Sequence, residues 1–190
     1  MKLLGSTTSP YVRRTRLLLA GRPYEFVDLA IYAEDRDVLR SHNPALRIPV
    51  LQDGDLTLFD SRVISRYLGQ KFQQPALSWD EENLLTVIDA ANDAYVVLFQ
   101  AQRSGIDTQQ DSMLFNLQRE RVEKSLKELA DKVKAGAFDH WNYPSICLYS
   151  LIDWLDFREL NDFKGLEALT EFRDRNRQQP GIAETDPRNT

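Results

Sequence analysis

Leu3-Leu4-Gly5-Ser6-Thr7-Thr8-Ser9-Pro10-Tyr11-Val12-Arg13-Arg14 is the stretch on which the reading of the chain turns. Residues 1–4 form a short apolar run that reads as a strand and stops at Gly5. Small hydroxyl residues follow. Pro10 then opens a helical segment over 11–20, which ends at Gly21. Proline at the first helical position and glycine just past the last are the expected punctuation of a helix. Ser9 therefore falls at the N-cap, beside backbone N–H groups that have no partner within the helix. The same end carries partial positive charge and favours an anion, such as a thiolate or a phosphate. The plainer reading of these residues alone is that Ser9 does no more than cap its helix.

Working outward, Tyr24-Glu25-Phe26-Val27-Asp28-Leu29 alternates as a second strand does. Residues 34–41 read as a short helix ended by His42-Asn43-Pro44. Ile48-Pro49-Val50-Leu51 is a brief apolar run with a proline inside it. Gln52-Asp53-Gly54-Asp55 carries the Asp-Gly hairpin signal, and Leu56-Thr57-Leu58-Phe59 is the returning strand. Asp60-Ser61 then caps a helix over 62–72 whose Val63, Ile64, Tyr67 and Leu68 share one face. The order strand–helix–strand–helix–strand–strand–helix predicts an α/β unit with a right-handed crossover. Gln73-Gln74-Pro75 reads as a linker. Beyond Trp79 the pattern is helical throughout. Leu84, Ile88, Ala91, Tyr95 and Leu98 make one stripe, and Val122, Leu126, Leu129 and Val133 make another. Residues 144–157 form an unusually apolar helix expected at the centre of its bundle, and 166–177 a fourth. A polar tail follows Gln178-Gln179-Pro180-Gly181.

Composition narrows the function classes. The chain has 190 residues, 42% hydrophobic and 28% charged, as expected of a globular protein. A net charge of -5 argues against nucleic acid or an anionic membrane as partner. No secretory signal is read at the start, and no apolar run is read as approaching a membrane span, so a cytoplasmic location is expected. Cys147 is the sole cysteine, which excludes an intramolecular disulfide and a CxxC redox pair. With only His42 and His140 beside it, no metal site is expected.

An α/β half in this order, with a proline opening its third strand, joined to an all-helical half, resembles the glutathione transferase superfamily. Four segments carry the likeness. Lys2-Leu3-Leu4-Gly5-Ser6 with Ser9-Pro10-Tyr11-Val12-Arg13-Arg14 resembles the first strand and active-site loop. Asn43-Pro44-Ala45-Leu46-Arg47-Ile48-Pro49-Val50-Leu51 is similar to the segment bearing a cis-proline. Phe59-Asp60-Ser61, with Ile64 and Tyr67-Leu68, resembles the acidic-Ser motif at the third helix. Trp154-Leu155-Asp156-Phe157-Arg158 is similar to a segment of many bacterial members. The resemblance implies a thioredoxin-like glutathione-binding domain over 1–74 and an all-helical domain over 80–190. It also implies a homodimer, glutathione as co-substrate, and a small electrophile as the second substrate.

The resemblance assigns roles residue by residue. Ser9 matches the catalytic hydroxyl that holds the glutathione thiolate, the nucleophilic form of the thiol. The stabilisation needed is ~1–2 pKa units at about 1.4 kcal/mol each, within reach of one charge-assisted hydrogen bond. Ser6 and Thr8 compete for this role, and a serine cannot form the mixed disulfide of thiol–disulfide exchange. Pro49 matches the cis-proline, which leaves Ile48 to pair with the cysteinyl backbone as in an antiparallel ladder. Ser61 matches the receiver of the γ-glutamyl carboxylate and Asp60 the neighbour of the γ-glutamyl amine, although most members have Glu at Asp60. Arg47 is a candidate clamp for the glycyl carboxylate or a solvated loop charge.

Tyr11, Arg13, Phe99 and Arg103 are candidate walls for the second substrate, as is Tyr95, although the spacing of Tyr95 and Phe99 equally suits a core stripe. Cys147 reads as a buried small hydrophobe. At the central helix Ser145 and Leu148 stand where many members carry a Ser/Thr-x-x-Asp capping box, so Leu148→Asp is expected to be neutral or stabilising. The activity implied is thiol transfer, with peroxidase activity from the same thiolate as a side reaction. The alternative is a non-catalytic relative that binds other proteins. An isomerase is disfavoured because Thr7-Thr8-Ser9 lacks the cysteine of the isomerases' Ser-Ser-Cys loop.

Overall fold

The computed structural model describes residues 1–189 and divides into two compact units, residues 1–76 with 177–189 and residues 77–176. The first unit holds β1 (Lys2–Gly5), α1 (Pro10–Leu18), β2 (Glu25–Asp28), α2 (Arg36–His42), β3 (Val50–Asp53), β4 (Leu56–Phe59) and α3 (Ser61–Lys71). The second holds α4 (Trp79–Arg103), α5 (Met113–Lys134), α6 (Tyr143–Phe157) and α7 (Glu167–Arg175). The element order agrees with the pattern of the sequence. An α/β thioredoxin-like unit and an all-helical unit are both present.

The sheet order is β2-β1-β3-β4, with β2 parallel to β1 and both other pairs antiparallel. Successive side chains of a strand point to opposite faces, and β1 shows it. Leu3 joins Val12, Leu19, Leu51, Ile64 and Leu68 in a core beneath α1 and α3. Leu4 joins Leu29, Leu39 and Val50 in a second core on the side of α2. Full burial of each such side chain contributes roughly 1.5–3 kcal/mol. Gly5 closes β1 because α1 passes so near that a Cβ there would lie 2.4 Å from a Val12 methyl. Two-residue hairpin loops favour positive φ, and Gly54, at φ 59, supplies it between β3 and β4.

The tail differs from its expected character. Residues 177–189 pack with the first unit. Ile182, Thr185 and Pro187 are buried. The Arg13 guanidinium of α1 donates from Nε to Thr185 Oγ1 at 3.2 Å and from Nη2 to the Ile182 carbonyl at 3.3 Å. Arg16 donates to the Glu184 carbonyl at 3.1 Å. A polar composition hid this docking because its acceptors are carbonyls and a hydroxyl, which leave no apolar signature.

In the second unit α4 begins with a capping box. Ser78 Oγ accepts from the Glu81 N–H at 3.3 Å, and the Glu81 carboxylate accepts from the Ser78 N–H at 2.8 Å. Contrary to the sequence reading, α4 is long and apolar enough to meet the composition of a membrane span. Its Leu84, Leu85, Ile88, Ala91 and Tyr95 are buried within the helical unit, as in a core helix. Every residue of α6 from Tyr143 to Leu155 is buried, which makes it the centre of its unit.

The start of α6 corrects a second expectation. The N-cap is Asn142, whose Oδ1 accepts from the Ser145 N–H at 3.2 Å, and Ser145 Oγ donates to the His140 carbonyl at 2.6 Å. Leu148 is fully buried. An aspartate there would desolvate a carboxylate rather than close a capping box, so Leu148→Asp is destabilising, not neutral.

Candidate functional site

The register of the sheet gathers the candidate residues of the first unit. Val27, Leu4, Val50 and Phe59 form one row across β2, β1, β3 and β4. Because β3 runs antiparallel to β1, its entry, Ile48-Pro49, lies at the end where β1 runs out into the Ser6–Ser9 loop. Because β4 runs antiparallel to β3, its exit, Asp60-Ser61, lies at that end too. Three segments far apart in sequence thus converge at one edge of the sheet.

The first segment is pinned from below. The Thr7 N–H donates to Asp28 Oδ1 at 2.9 Å, and the Thr7 hydroxyl donates to the other carboxylate oxygen. Ser6 and Thr8 hydroxyls face each other at 3.3 Å. Ser9 stands at the N-cap of α1, and its Oγ accepts from the Val12 N–H at 3.4 Å, the long limit of such a bond. A hydroxyl that accepts still holds its proton and can donate it elsewhere. Pro10, as the first helical residue, brings no N–H to compete. Neither Thr7 nor Asp28 was singled out in the sequence. Their contact spans 21 residues, and only the pairing Gly5↔Asp28 brings it about.

The second segment is the loop before β3. The Ile48–Pro49 peptide is cis. The ladder with β1 ends at Leu4↔Val50, so Ile48 stands outside it. Pro49 is buried, Ile48 half-buried and Arg47 exposed. Buried Asn43 shapes the loop. Its Nδ2 donates to the Arg47 carbonyl at 2.7 Å and its Oδ1 accepts from the Ala45 N–H at 2.9 Å. This residue was also passed over in the sequence, where it looked like helix punctuation.

The third segment opens α3. Asp60 has φ 72 and ψ 132, a conformation strained for a residue with a side chain and concentrated at functional positions. Its Oδ1 accepts from the Arg62 N–H at 2.8 Å and the Val63 N–H at 3.3 Å, and its carbonyl accepts from the Ile64 N–H at 2.9 Å. Of the first-turn amides, that of Ser61 is the one these bonds leave over. Ser61 itself is buried. A helix start with an unused donor is a fitting place for a carboxylate.

Two expected wall residues lie on α1. Tyr11 is half-buried, with the Arg14 guanidinium 4.9 Å from its ring. Arg13 is a correction. It is 3% exposed and its guanidinium is committed to the tail, so it anchors α1 rather than lining a site. Phe99 and Arg103 lie in the helical unit, where Phe99 meets Trp154 edge-to-face at 5.8 Å. Tyr95 is buried and accepts at its hydroxyl from Asn161 Nδ2 at 2.7 Å; burial raises the pKa of its phenol. It belongs to the core, as its stripe also suggested.

Residues 3–76 match the family described as Glutathione S-transferase, N-terminal domain. Over 173 residues the chain is 30% identical to the uncharacterized GST-like protein YibF of Escherichia coli (strain K12), covering 84% of each. A glutathione transferase family member from Pseudomonas fluorescens Pf-5, solved with bound glutathione, superposes with a TM-score of 0.81 at 25% identity, over 98% of both chains. A glutathione S-transferase from Methylobacillus flagellatus superposes at 0.84 and 24% identity, again over 98% of both. The shared α/β unit, the cis peptide before β3, the motif opening α3 and the likeness to YibF across most of the sequence converge on one answer: this chain belongs to the glutathione transferase superfamily.

Proposed function

We propose that the protein is a glutathione S-transferase that holds the glutathione thiolate at Ser9 for attack on a small electrophile. The observation that carries the reading is the convergence at one sheet edge of three different devices. They are a proton-bearing hydroxyl at Ser9, the Ile48 backbone outside the ladder, and the unused amide of Ser61. Their chemistry matches the thiol, the cysteinyl backbone and the γ-glutamyl carboxylate of the tripeptide. Asp60 offers its carboxylate near the γ-glutamyl amine while it caps α3. Arg47 receives the glycyl carboxylate. Glutathione bound to the solved Pseudomonas relative supports the same reading.

Ser9 is preferred over its neighbours for a physical reason. Ser6 and Thr8 face each other, whereas Ser9 only accepts within the protein. Its donated proton, with the positive end of α1, lowers the cost of the thiolate; one such charge-assisted bond contributes about 1.5–3 kcal/mol. Tyr11, Phe99 and Arg103 are the residues proposed to meet the electrophile, and the working form is proposed to be a homodimer.

The test is titration calorimetry with glutathione, followed by conjugation of 1-chloro-2,4-dinitrobenzene. Saturable heat at sub-millimolar to millimolar glutathione, with conjugation above the uncatalysed rate, is expected. Absence of heat and of any thermal shift at millimolar glutathione overturns the reading in favour of a protein-binding relative.

A further inference from the structure

The segment Trp154-Leu155-Asp156-Phe157-Arg158 finds no role in the glutathione half of the molecule. It ends α6, and Arg158 is the C-cap. Its guanidinium carbon lies 4.5 Å from the centre of the Phe157 ring and 5.3 Å from that of Phe99. The Arg103 guanidinium, at the last turn of α4, lies 5.7 Å from the same Phe99 ring. Trp154 closes the far edge of Phe99 at 5.8 Å. Two cations thus converge on one aromatic ring.

Their environment is unusual for arginine. Arg158 Nε is buried without a hydrogen-bond partner among the described residues. Burial and the Arg103 charge both act against protonation of Arg158, and no acidic group offsets them. The contrast is Arg173 in the same unit, more deeply buried yet paired with Asp156 and Asp174. Ring faces compensate part of the lost hydration of a guanidinium, but they accept nothing from Nε. A half-buried guanidinium whose Nε has no acceptor, beside a second positive charge, is matched by a planar oxyanion taken in two parallel bonds.

We propose that Arg158 and Arg103, mounted on Phe99 and Phe157, receive the carboxylate of the second substrate, so that the preferred electrophile is a small organic acid rather than a neutral molecule. This rests on the reading of the end of α4 as a wall for that substrate. Arg158 is the element to which the resemblance assigns no role. Phosphate-bearing polymers are poor occupants, because the chain carries a net charge of -5.

The test is calorimetry on the full chain without glutathione, so its outcome is independent of whether glutathione binds. The probes are 4-nitrobenzoate and its neutral counterpart nitrobenzene. The acid is expected to bind at least tenfold more tightly than nitrobenzene. Arg158→Gln is expected to abolish that preference, and Arg103→Gln to weaken the acid severalfold. Arg158→Lys, which keeps the stem and the charge, guards against a folding defect and should fall between wild type and Arg158→Gln. Three results overturn the proposal: equal affinity for acid and neutral probe, unchanged acid binding in a folded Arg158→Gln or Arg158→Lys, or displacement of the acid by equimolar inorganic phosphate, which would mark a generic anion site.

Discussion

Two helices of this protein begin on the same plan and end in opposite conditions. α1 opens with Ser9-Pro10 and α6 with Asn142-Tyr143-Pro144, a polar cap followed by proline in the first turn. At α6 the plan is closed. Asn142 accepts from Ser145 and donates through Nδ2 to Glu81 at 2.7 Å, Ser145 donates to His140, and every side chain of the turns that follow is buried. At α1 the cap bond is stretched to 3.4 Å, and the capping hydroxyl keeps a proton that the protein does not use. The same residue chemistry is structural in one place and available in the other. What separates them is the number of donors and acceptors left over, which sequence spacing does not reveal.

The largest effect should come from breaking the closed start. Leu148→Asp buries a carboxylate without a partner in the second turn of α6, and a loss of about 3–5 kcal/mol, often enough to prevent folding, is expected. A thermal melt close to wild type would mean that α6 is not closed at all. At the open start, Ser9→Ala should lower kcat/KM for conjugation about 10²-fold, equal to roughly 2.7 kcal/mol, while the glutathione Kd moves less than about threefold. Asn142→Ala should do the reverse, losing about 1 kcal/mol of stability with conjugation by the folded protein unchanged.

A fourth prediction sharpens the comparison at α3. Ser61→Pro removes the unused amide at the first helical position, where proline is tolerated. Glutathione affinity should fall tenfold or more in calorimetry, while Ser61→Ala, which keeps the N–H, should lose less. Equal losses in both variants would transfer the role from the amide to the hydroxyl.

The smallest effect concerns Asp53, which fastens the β3–β4 hairpin to α3. It pairs with Lys71, and the Tyr67 hydroxyl donates to it at 2.6 Å. The Lys71 bond, then the Tyr67 bond, hold its carboxyl below the usual aspartate value of 3.8. A lowered folded pKa means stability that is present above 3.8 and lost as pH falls through the lower folded value. Melts of Asp53→Asn should therefore lie slightly below wild type near pH 7 and converge with it below pH 3.8. A gap that persists in acid would assign the effect to packing.

Much of the architecture was legible because its signals are local. Pro10 and Gly21 bracket α1, Asp53-Gly54 marks the hairpin, and the stripe through Leu84, Ile88 and Ala91 marks α4. The residues that escaped notice act across the register. Thr7 meets Asp28 only because β2 lies parallel to β1, and Asn43 holds Arg47 only in a loop that its own side chain shapes. The cap of α6 was misplaced because Ser145-Ile146-Cys147-Leu148 imitates a capping-box frame, while the true cap sits three residues earlier. Arg13 read as a wall residue because its acceptors lie far downstream in the sequence.

That last distance sets an order of events. Arg13 finds its partners 169 and 172 residues downstream, at Ile182 and Thr185. On a ribosome, the helix that carries Ser9 emerges before the helical unit, whereas these two acceptors follow only after that unit has been synthesised. The thioredoxin-like unit therefore begins first and finishes last. A chain interrupted before residue 182 would lack both of these bonds to the helix that carries Ser9.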